Sequence, residues 1–417
     1  MTRIALPDHG TDWETLSARM DEMAAGDVRW RDGRTVVYVF NAGEDVARVQ
    51  KEAYVRFMSE NGLGPMAFPS LARMEEEVVG MALTLLDAPD GAAGNMTSGG
   101  TDSITMAVKT ARDRARATGR LAAGARGNIV MPWSGHPAFD KAAIMMDLEI
   151  RRIACTDDFL ADPDAMAAAV DADTVMLVGS APCFPYGLID PISALGEVAA
   201  ARDVWLHVDA CVGGFLAPFA RMNGANLPAF DFAVPQVLSM SADLHKYGYC
   251  AKGASTVLFR SEDLRAHMIF DTDDWPGGRM VTPTLAGTRP GGAIAAAWAV
   301  MTYLGVDGYR EKQGLVVATR EKIEAGVKRL GFEIIGAPRL GLMGYTHRER
   351  DMFAIWGKLH ERGWFTSVVT RPKGVHLMLS PKHAEVADAY LDDLAWASEA
   401  VGRAAAPAPA REIRYSG

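Results

Sequence analysis

The chain of 417 residues has only 4 cysteines, Cys155, Cys183, Cys211 and Cys250. They stand far apart and form no Cys-x-x-Cys pair, which argues against a zinc site, and no metal is expected. So few thiols in so long a chain suit a reducing, cytoplasmic setting. No unbroken apolar run approaches the roughly 20 residues that a spanning helix needs. The longest candidate, Ala293 to Leu304, is short, flanked by glycine, and reads as a buried helix. Met1 to Met20 carries charges throughout and lacks the apolar core of a signal peptide. Positive charge is not in excess: 43 Lys and Arg against 52 Asp and Glu leave a formal net charge of −9, which disfavours a non-specific nucleic-acid binder. There is no internal repeat. The composition, 49% hydrophobic and 23% charged, is that of an ordinary globular protein of two or so domains.

Helical periodicity marks Asp12–Ala25, Glu44–Glu60 and Leu71–Leu86, with Thr35–Phe40 (TVVYVF) as a short strand or extended arm between the first two. From Thr97 a β/α alternation sets in. Strand-like runs at 127–131, 174–179, 204–208, 237–240 and 255–259 are separated by helical segments. These runs are apolar without alternation, as strands buried on both faces of a parallel sheet are. The pattern predicts an α/β fold with helices covering the sheet. Ligands of such sheets bind beyond the carboxyl ends of the strands, so residues just after the strands are the candidates for function. A long helical stretch from Gly305 to Arg329 precedes four further strand-like runs at 332–335, 341–345, 365–370 and 375–379, which predict a smaller α+β domain. The expected divisions are an N-terminal arm with helices (1–62), a large domain (63–304), a small C-terminal domain (305–402) and an Ala/Pro-rich mobile tail (403–417).

Four segments carry chemistry. Ser241-Ala-Asp-Leu-His245-Lys246-Tyr-Gly-Tyr places a lysine after a histidine in a turn beyond a strand. Most lysines lie on the surface, so the context matters. Asp209 ends the apolar strand Leu206-His-Val208, where a carboxylate is costly unless it meets a positive charge. The protonated ring nitrogen of pyridoxal 5′-phosphate is such a charge, and an aspartate beside it makes the ring an electron sink. Thr97-Ser-Gly99-Gly100-Thr101 runs straight into a helix, whose free N–H groups and dipole suit the cofactor phosphate; the plainer alternative is Thr101 as a helix cap. His136, in Ser134-Gly-His136-Pro-Ala-Phe139, can stack on the ring. Phosphate loop, histidine, aspartate and lysine occur in that order along the chain, the last three each beyond a predicted strand.

The sequence resembles the group II pyridoxal-phosphate-dependent decarboxylase superfamily and, within it, the sphingosine-1-phosphate lyases. The similar segments are TSGGTDSI (97–104), GHPAFDKA (135–142), PYGLIDPI (185–192), HVDACVGGF (207–215), SADLHKYGYCAKG (241–253), DTDDWPGG (271–278) and TPTLAGTRPGG (282–292). The resemblance implies fold type I, like aspartate aminotransferase: a central, mostly parallel seven-stranded sheet with a smaller C-terminal α+β domain. It implies that Lys246 holds the cofactor covalently and later moves protons, that Asp209 pairs with the ring nitrogen, and that His136 stacks on the ring with Ala210 behind it. Gly99, Gly100, Thr101, Ser180 and His245 would complete the cofactor site. Thr288 would reach the cofactor phosphate of a partner subunit, in a homodimer with shared active sites. Tyr38 of the N-terminal arm would reach the active site as a further catalytic residue and, with Asn61, Tyr186 and Lys252, would face the substrate, with Lys252 near a substrate phosphate. The chain departs from the family at Asn61-Gly-Leu-Gly64-Pro-Met66, where the lyases read Asn-Pro-Leu-His-Pro-Asp; the histidine position is Gly64.

The activity so implied is cleavage of the Cα–Cβ bond of a phosphorylated β-hydroxy amine, such as sphingosine 1-phosphate, to an aldehyde and phosphoethanolamine. The alternatives are amino-acid decarboxylation, cleavage of a smaller β-hydroxy amine or amino acid, and a non-catalytic cofactor-binding protein, against which the joint presence of Lys246, Asp209 and His136 argues. Arg279, Arg289, Arg348 and Arg371 could each serve an anion, but solvation is the default for any one of them, though Arg289 sits in the matched segment TRPGG.

Overall fold

The computed structural model describes residues 2–402; the tail from 403, expected to be mobile, lies outside the described residues. Seven strands form the main sheet: β1 (Ala93–Thr97), β2 (Asn128–Pro132), β3 (Glu149–Ile153), β4 (Thr174–Ser180), β5 (Trp205–Asp209), β6 (Val237–Ala242) and β7 (Ser255–Phe259). Their order is β1-β7-β6-β5-β4-β2-β3. The run β6-β5-β4-β2-β3 is parallel throughout, while β7 is antiparallel to both β6 and β1. Every residue of β2, β4, β5 and β7 is buried, which is why these strands show no alternation in sequence: helices cover both faces. The mostly parallel seven-stranded α/β sheet is as expected.

Two of the seven strands are not evident in the sequence. β1 reads Ala-Gly-Asn-Met-Thr, a set of mostly poor strand formers. Its Gly94 lies so close to β7 that an added Cβ would sit 2.6 Å from Leu258 Cδ2 and 2.7 Å from the Val257 carbonyl oxygen. β3 reads Glu-Ile-Arg-Arg-Ile and is the opposite edge of the sheet. Its Arg151 pairs with Asp171 at 2.5 Å and its Arg152 pairs with Asp140; charge on an edge strand discourages further strand addition.

A two-stranded hairpin, β8 (Phe270–Thr272) and β9 (Met280–Thr282), precedes the long helix Gly291–Arg329, which is interrupted by a non-helical Gly305. The smaller sheet follows: β10 (Glu333–Ile334), β11 (Leu342–Thr346), β12 (Ser367–Thr370) and β13 (Lys373–Met378), antiparallel in the order β10-β11-β13-β12. At the other end of the chain, α1 (Trp13–Ala24) is capped by Asp12, whose carboxylate accepts the Thr15 N–H at 2.9 Å. Helices α2 (Glu44–Arg56) and α3 (Pro69–Leu85) pack on the long helix. Between α1 and α2, residues 35–40 form an extended arm, with a single bridge from Thr35 to Phe365. The arm lies along the small sheet through Val36 N–H to the Phe365 carbonyl at 2.8 Å and Met378 N–H to the Val36 carbonyl at 2.9 Å.

Arg289 is neither solvated nor open to an anion. It is 8% exposed and pairs with Glu75 of α3, itself 9% exposed. Glu75 also accepts the Met96 N–H of β1 at 3.0 Å, and Arg289 donates to the Gly62 carbonyl at 3.0 Å. One buried pair thus joins α3, β1 and the loop before the long helix. Glu75→Ala would leave a buried guanidinium unpaired and is expected to cost about 3–5 kcal/mol. Glu75→Leu combined with Arg289→Met removes both charges and should recover most of that loss. Urea unfolding midpoints of the single and double variants check this.

Candidate active site

The parallel strands deliver their carboxyl ends to one edge of the sheet. Ser180 at the end of β4, Asp209 at the end of β5 and Ser241 of β6 are hydrogen-bonded neighbours in register, so their side chains share one face. Asp209 is 7% exposed. Its carboxylate accepts the Cys211 N–H at 3.1 Å and the Ser241 hydroxyl at 3.4 Å. The Ser180 hydroxyl oxygen is buried without a hydrogen-bond partner among the described residues.

Beyond β6 the chain turns through Asp243-Leu-His245-Lys246. Lys246 Nζ lies 3.0 Å from Asp243 Oδ2, and Asp243 is 2% exposed. Burial alone would push the Lys246 amine down, but the carboxylates, Asp243 first, hold it well above its ordinary value. The Cys211 thiol beside them is pushed up by burial and so stays neutral. His136, in the turn beyond β2, accepts the Ala138 N–H at Nδ1, 3.1 Å away. Burial holds its pKa below the usual value, which keeps the ring uncharged. Arg152 clamps the turn that carries it, donating to the Trp133 and Gly135 carbonyls at 3.2 and 3.0 Å.

Helix α4 (Gly100–Ala117) starts directly after β1. Thr101 lies inside its first turn rather than capping it, and the N-cap, Gly99, provides no side-chain acceptor. The first-turn N–H groups are therefore available to an anion. A cavity of about 220 Å³ opens here, and Gly100, Thr101, His136, Asp209, His245 and Lys246 all line it. Six of the residues picked out in the sequence thus meet around one space. Gly99 borders it: an added Cβ would stand 3.6 Å from the His245 ring. Ala210 is fully buried and bonded through its N–H to the Ser241 carbonyl at 2.9 Å.

The expected substrate residues lie farther out. Lys252 donates to the Tyr38 carbonyl at 2.9 Å and the His245 carbonyl at 3.4 Å, which ties the N-terminal arm to the edge of the site. Burial, then the nearby Lys246, lowers the Lys252 amine to about 8. Tyr38 holds a left-handed backbone at φ 64°, rare for a tyrosine. Tyr186 donates its hydroxyl to the Arg371 carbonyl at 2.6 Å. Neither Asn61 nor Thr288 lines the cavity of its own chain; their segments meet through a bridge between Asn61 and Pro290. The sequence reading missed Asp243, Cys211 and Phe184 among the lining residues. Asp243 had a signal: a carboxylate three residues before the lysine, in the same turn.

The donor set fits pyridoxal 5′-phosphate. A buried carboxylate is present for the ring nitrogen, a lysine for the aldehyde, a neutral imidazole for the ring face, and an uncapped helix N-terminus for the phosphate. The unpartnered Ser180 hydroxyl, in the same rung as Asp209, offers one more polar contact. Among the described residues no group of three or more His, Cys, Asp or Glu side chains could hold a metal ion, and no helix is long and apolar enough to cross a membrane.

Comparison with known proteins agrees with this geometry. The pyridoxal-dependent decarboxylase conserved domain matches residues 2–348. The chain is similar to a sphingosine-1-phosphate lyase of Oryza sativa, 40% identical over 393 residues, covering 92% of this chain and 71% of the relative. A probable L-tyrosine/L-aspartate decarboxylase of Methanothermobacter thermautotrophicus is 31% identical over 352 residues, covering 84% of this chain and 93% of the relative. Among solved structures, a sphingosine-1-phosphate lyase of Burkholderia pseudomallei superposes with a TM-score of 0.92 at 35% identity, covering 96% of this chain and 93% of that one.

Gly100 is the tightest point of the cradle, because an added Cβ would come within 2.8 Å of Asp243 Oδ2 and 2.9 Å of Cys211 Sγ. Gly100→Ala is therefore expected to weaken cofactor retention at least about tenfold, the equivalent of about 1.4 kcal/mol. Equilibrium titration of the cofactor-free chain with pyridoxal 5′-phosphate measures it.

Proposed function

The chain belongs to the pyridoxal-dependent decarboxylase family, among the sphingosine-1-phosphate lyases, and from that premise we propose that it is a carbon–carbon lyase that cleaves a phosphorylated β-hydroxy amine such as sphingosine 1-phosphate to an aldehyde and phosphoethanolamine. The observation that carries this reading is the meeting of Lys246, Asp209 and His136 around one cavity, in a chain 40% identical to a lyase of that name. When bound, the cofactor supplies the electron sink that accepts the pair released as the Cα–Cβ bond breaks.

The protein's own residues do the rest. Lys246 holds the cofactor and carries a proton to Cα. Asp209 keeps a proton on the ring nitrogen. His136, uncharged, covers one face of the ring and excludes water. Gly99, Gly100, Thr101 and His245 hold the cofactor phosphate, with Ser180 and Ala210 supporting the ring side. Tyr38, Asn61 and Tyr186 border the substrate, and Lys252, where charged, pairs with its phosphate. In this scheme residues 63–304 carry the cofactor and 305–402 form the smaller C-terminal domain.

We further propose a homodimer in which Thr288 of each subunit completes the site of the other. Helix α1 has no buried residue and exposes Trp13, Met20 and Met23. The β8–β9 hairpin and the loop after it expose Phe270, Trp275 and Leu285. Apolar surface of this kind in two places supports coverage by a second copy. The four free thiols are in keeping with a cytoplasmic location. Gly64 favours one second reading. Without the histidine that the lyases carry there, a smaller β-hydroxy amine or an amino acid, the latter losing carbon dioxide, is the alternative substrate.

Incubation of the cofactor-loaded protein with sphingosine 1-phosphate should yield phosphoethanolamine and the long-chain aldehyde by mass spectrometry, and Lys246→Ala should abolish both. Failure to form them, with the cofactor still bound, would sink the lyase assignment and direct the search to carbon dioxide release. With burial lowering its amine to about 8, Lys252 loses its charge as pH rises through that range, so KM for a phosphorylated substrate should rise as pH passes about 8. In Lys252→Arg that rise should vanish, because a guanidinium stays charged. For the shared site, mixing and refolding Lys246→Ala with Thr288→Asp subunits should restore activity that neither has alone; no restoration would contradict it.

A further inference from the structure

Lys246 faces two carboxylates, and the cofactor accounts for only one of them. Asp209 is placed for the ring nitrogen. Asp243 is placed for Lys246: its Oδ2 lies 3.0 Å from Nζ. Its Oδ1 accepts the Ser255 hydroxyl, so Ser255 has no proton left for Ser103, 2.8 Å away. Ser103 must then donate to Ser255. By the same logic Thr97, 2.5 Å from Ser103, donates to Ser103. Three hydroxyls from the end of β1, the first turn of α4 and the start of β7 thus point their protons in sequence toward one buried carboxylate. Each such bond polarises the next. The chain stabilises the ionised Asp243 that burial would otherwise neutralise.

We propose that Asp243 is a positioning residue for Lys246: anchored by the Thr97–Ser103–Ser255 relay, it fixes both the aim and the protonation of the lysine nitrogen, independently of the service Asp209 gives the ring. The relay starts in the same turn that cradles the cofactor phosphate, so phosphate site and lysine are mechanically one unit. The titratable groups facing the lysine are Asp243, Asp209, Cys211, His136, His245 and Lys252. Asp243 is the only one of them within salt-bridge distance of Nζ. The inference rests on Lys246 as the cofactor lysine.

The test is a pH titration of the visible absorbance of the cofactor-loaded protein, which reports the proton on the lysine–cofactor linkage whether or not the enzyme turns over. Asp243→Asn should lower the midpoint by at least about one pH unit, the scale of one close carboxylate. Asp243→Glu, which keeps the charge, should stay near the wild-type midpoint. Should the Asn variant not take up cofactor, Asp243→Ser, smaller and still able to bond Ser255, should give the same drop. A neutral variant with an unmoved midpoint overturns the proposal, as does an Asp243→Glu midpoint that falls as far as the neutral one. If Lys246 is not the cofactor lysine, Lys246→Ala will retain the same titrating band, and that result overturns both readings.

Discussion

The structure turns on the parallel register of β4, β5 and β6. Because these three strands run side by side in one direction, Ser180, Asp209 and Ser241 stand in one rung at the carboxyl edge of the sheet. The turns after β1, β2, β4, β5 and β6 then open into the same space. The turn after β2 brings His136, the turn after β6 brings Lys246, and the helix after β1 brings its uncapped first turn. A shift of one residue in any of these pairings would turn Asp209 to the opposite face of the sheet, away from Lys246.

Concentrating charge at a buried edge is expensive unless each group is matched. The fold meets this in two ways. It pairs where it keeps charge, as with Lys246 and Asp243. It neutralises where it does not, so that burial holds His136, His245 and the Cys211 thiol in their uncharged forms. The same economy operates away from the site. Glu75 and Arg289 are buried together, and their pairing fixes the edge strand from which α4 departs.

Much of the site was legible from residue order alone. Lys246, Asp209 and His136 each follow an unalternating apolar strand, and in a parallel sheet that position is enough to predict convergence. Asp243 was in plain view three residues before Lys246, but a carboxylate in a turn has many ordinary uses, and only its burial and its 3.0 Å contact single it out. β1 and β3 were hidden for opposite reasons. β1 is strand because its neighbour leaves no room for a side chain at Gly94, and β3 is strand despite charges that its edge position tolerates. Arg289, which looked like one exposed arginine among several, is buried, because its partner lies 214 residues away in sequence.

The sequence by itself determined the fold class and the cofactor, and it marked Lys246, Asp209 and His136, which the structure brings around one cavity. Apolar runs without alternation can be satisfied only by a sheet covered on both faces, and a lysine, an aspartate and a histidine at successive strand ends have few other uses in combination. The tertiary structure decided what pairs with what. It set which carboxylate serves Lys246, left Thr101 inside the helix instead of capping it, and tied the N-terminal arm to the site through Lys252. Those outcomes depend on distances between segments far apart in the chain, and no local pattern of residues encodes a distance.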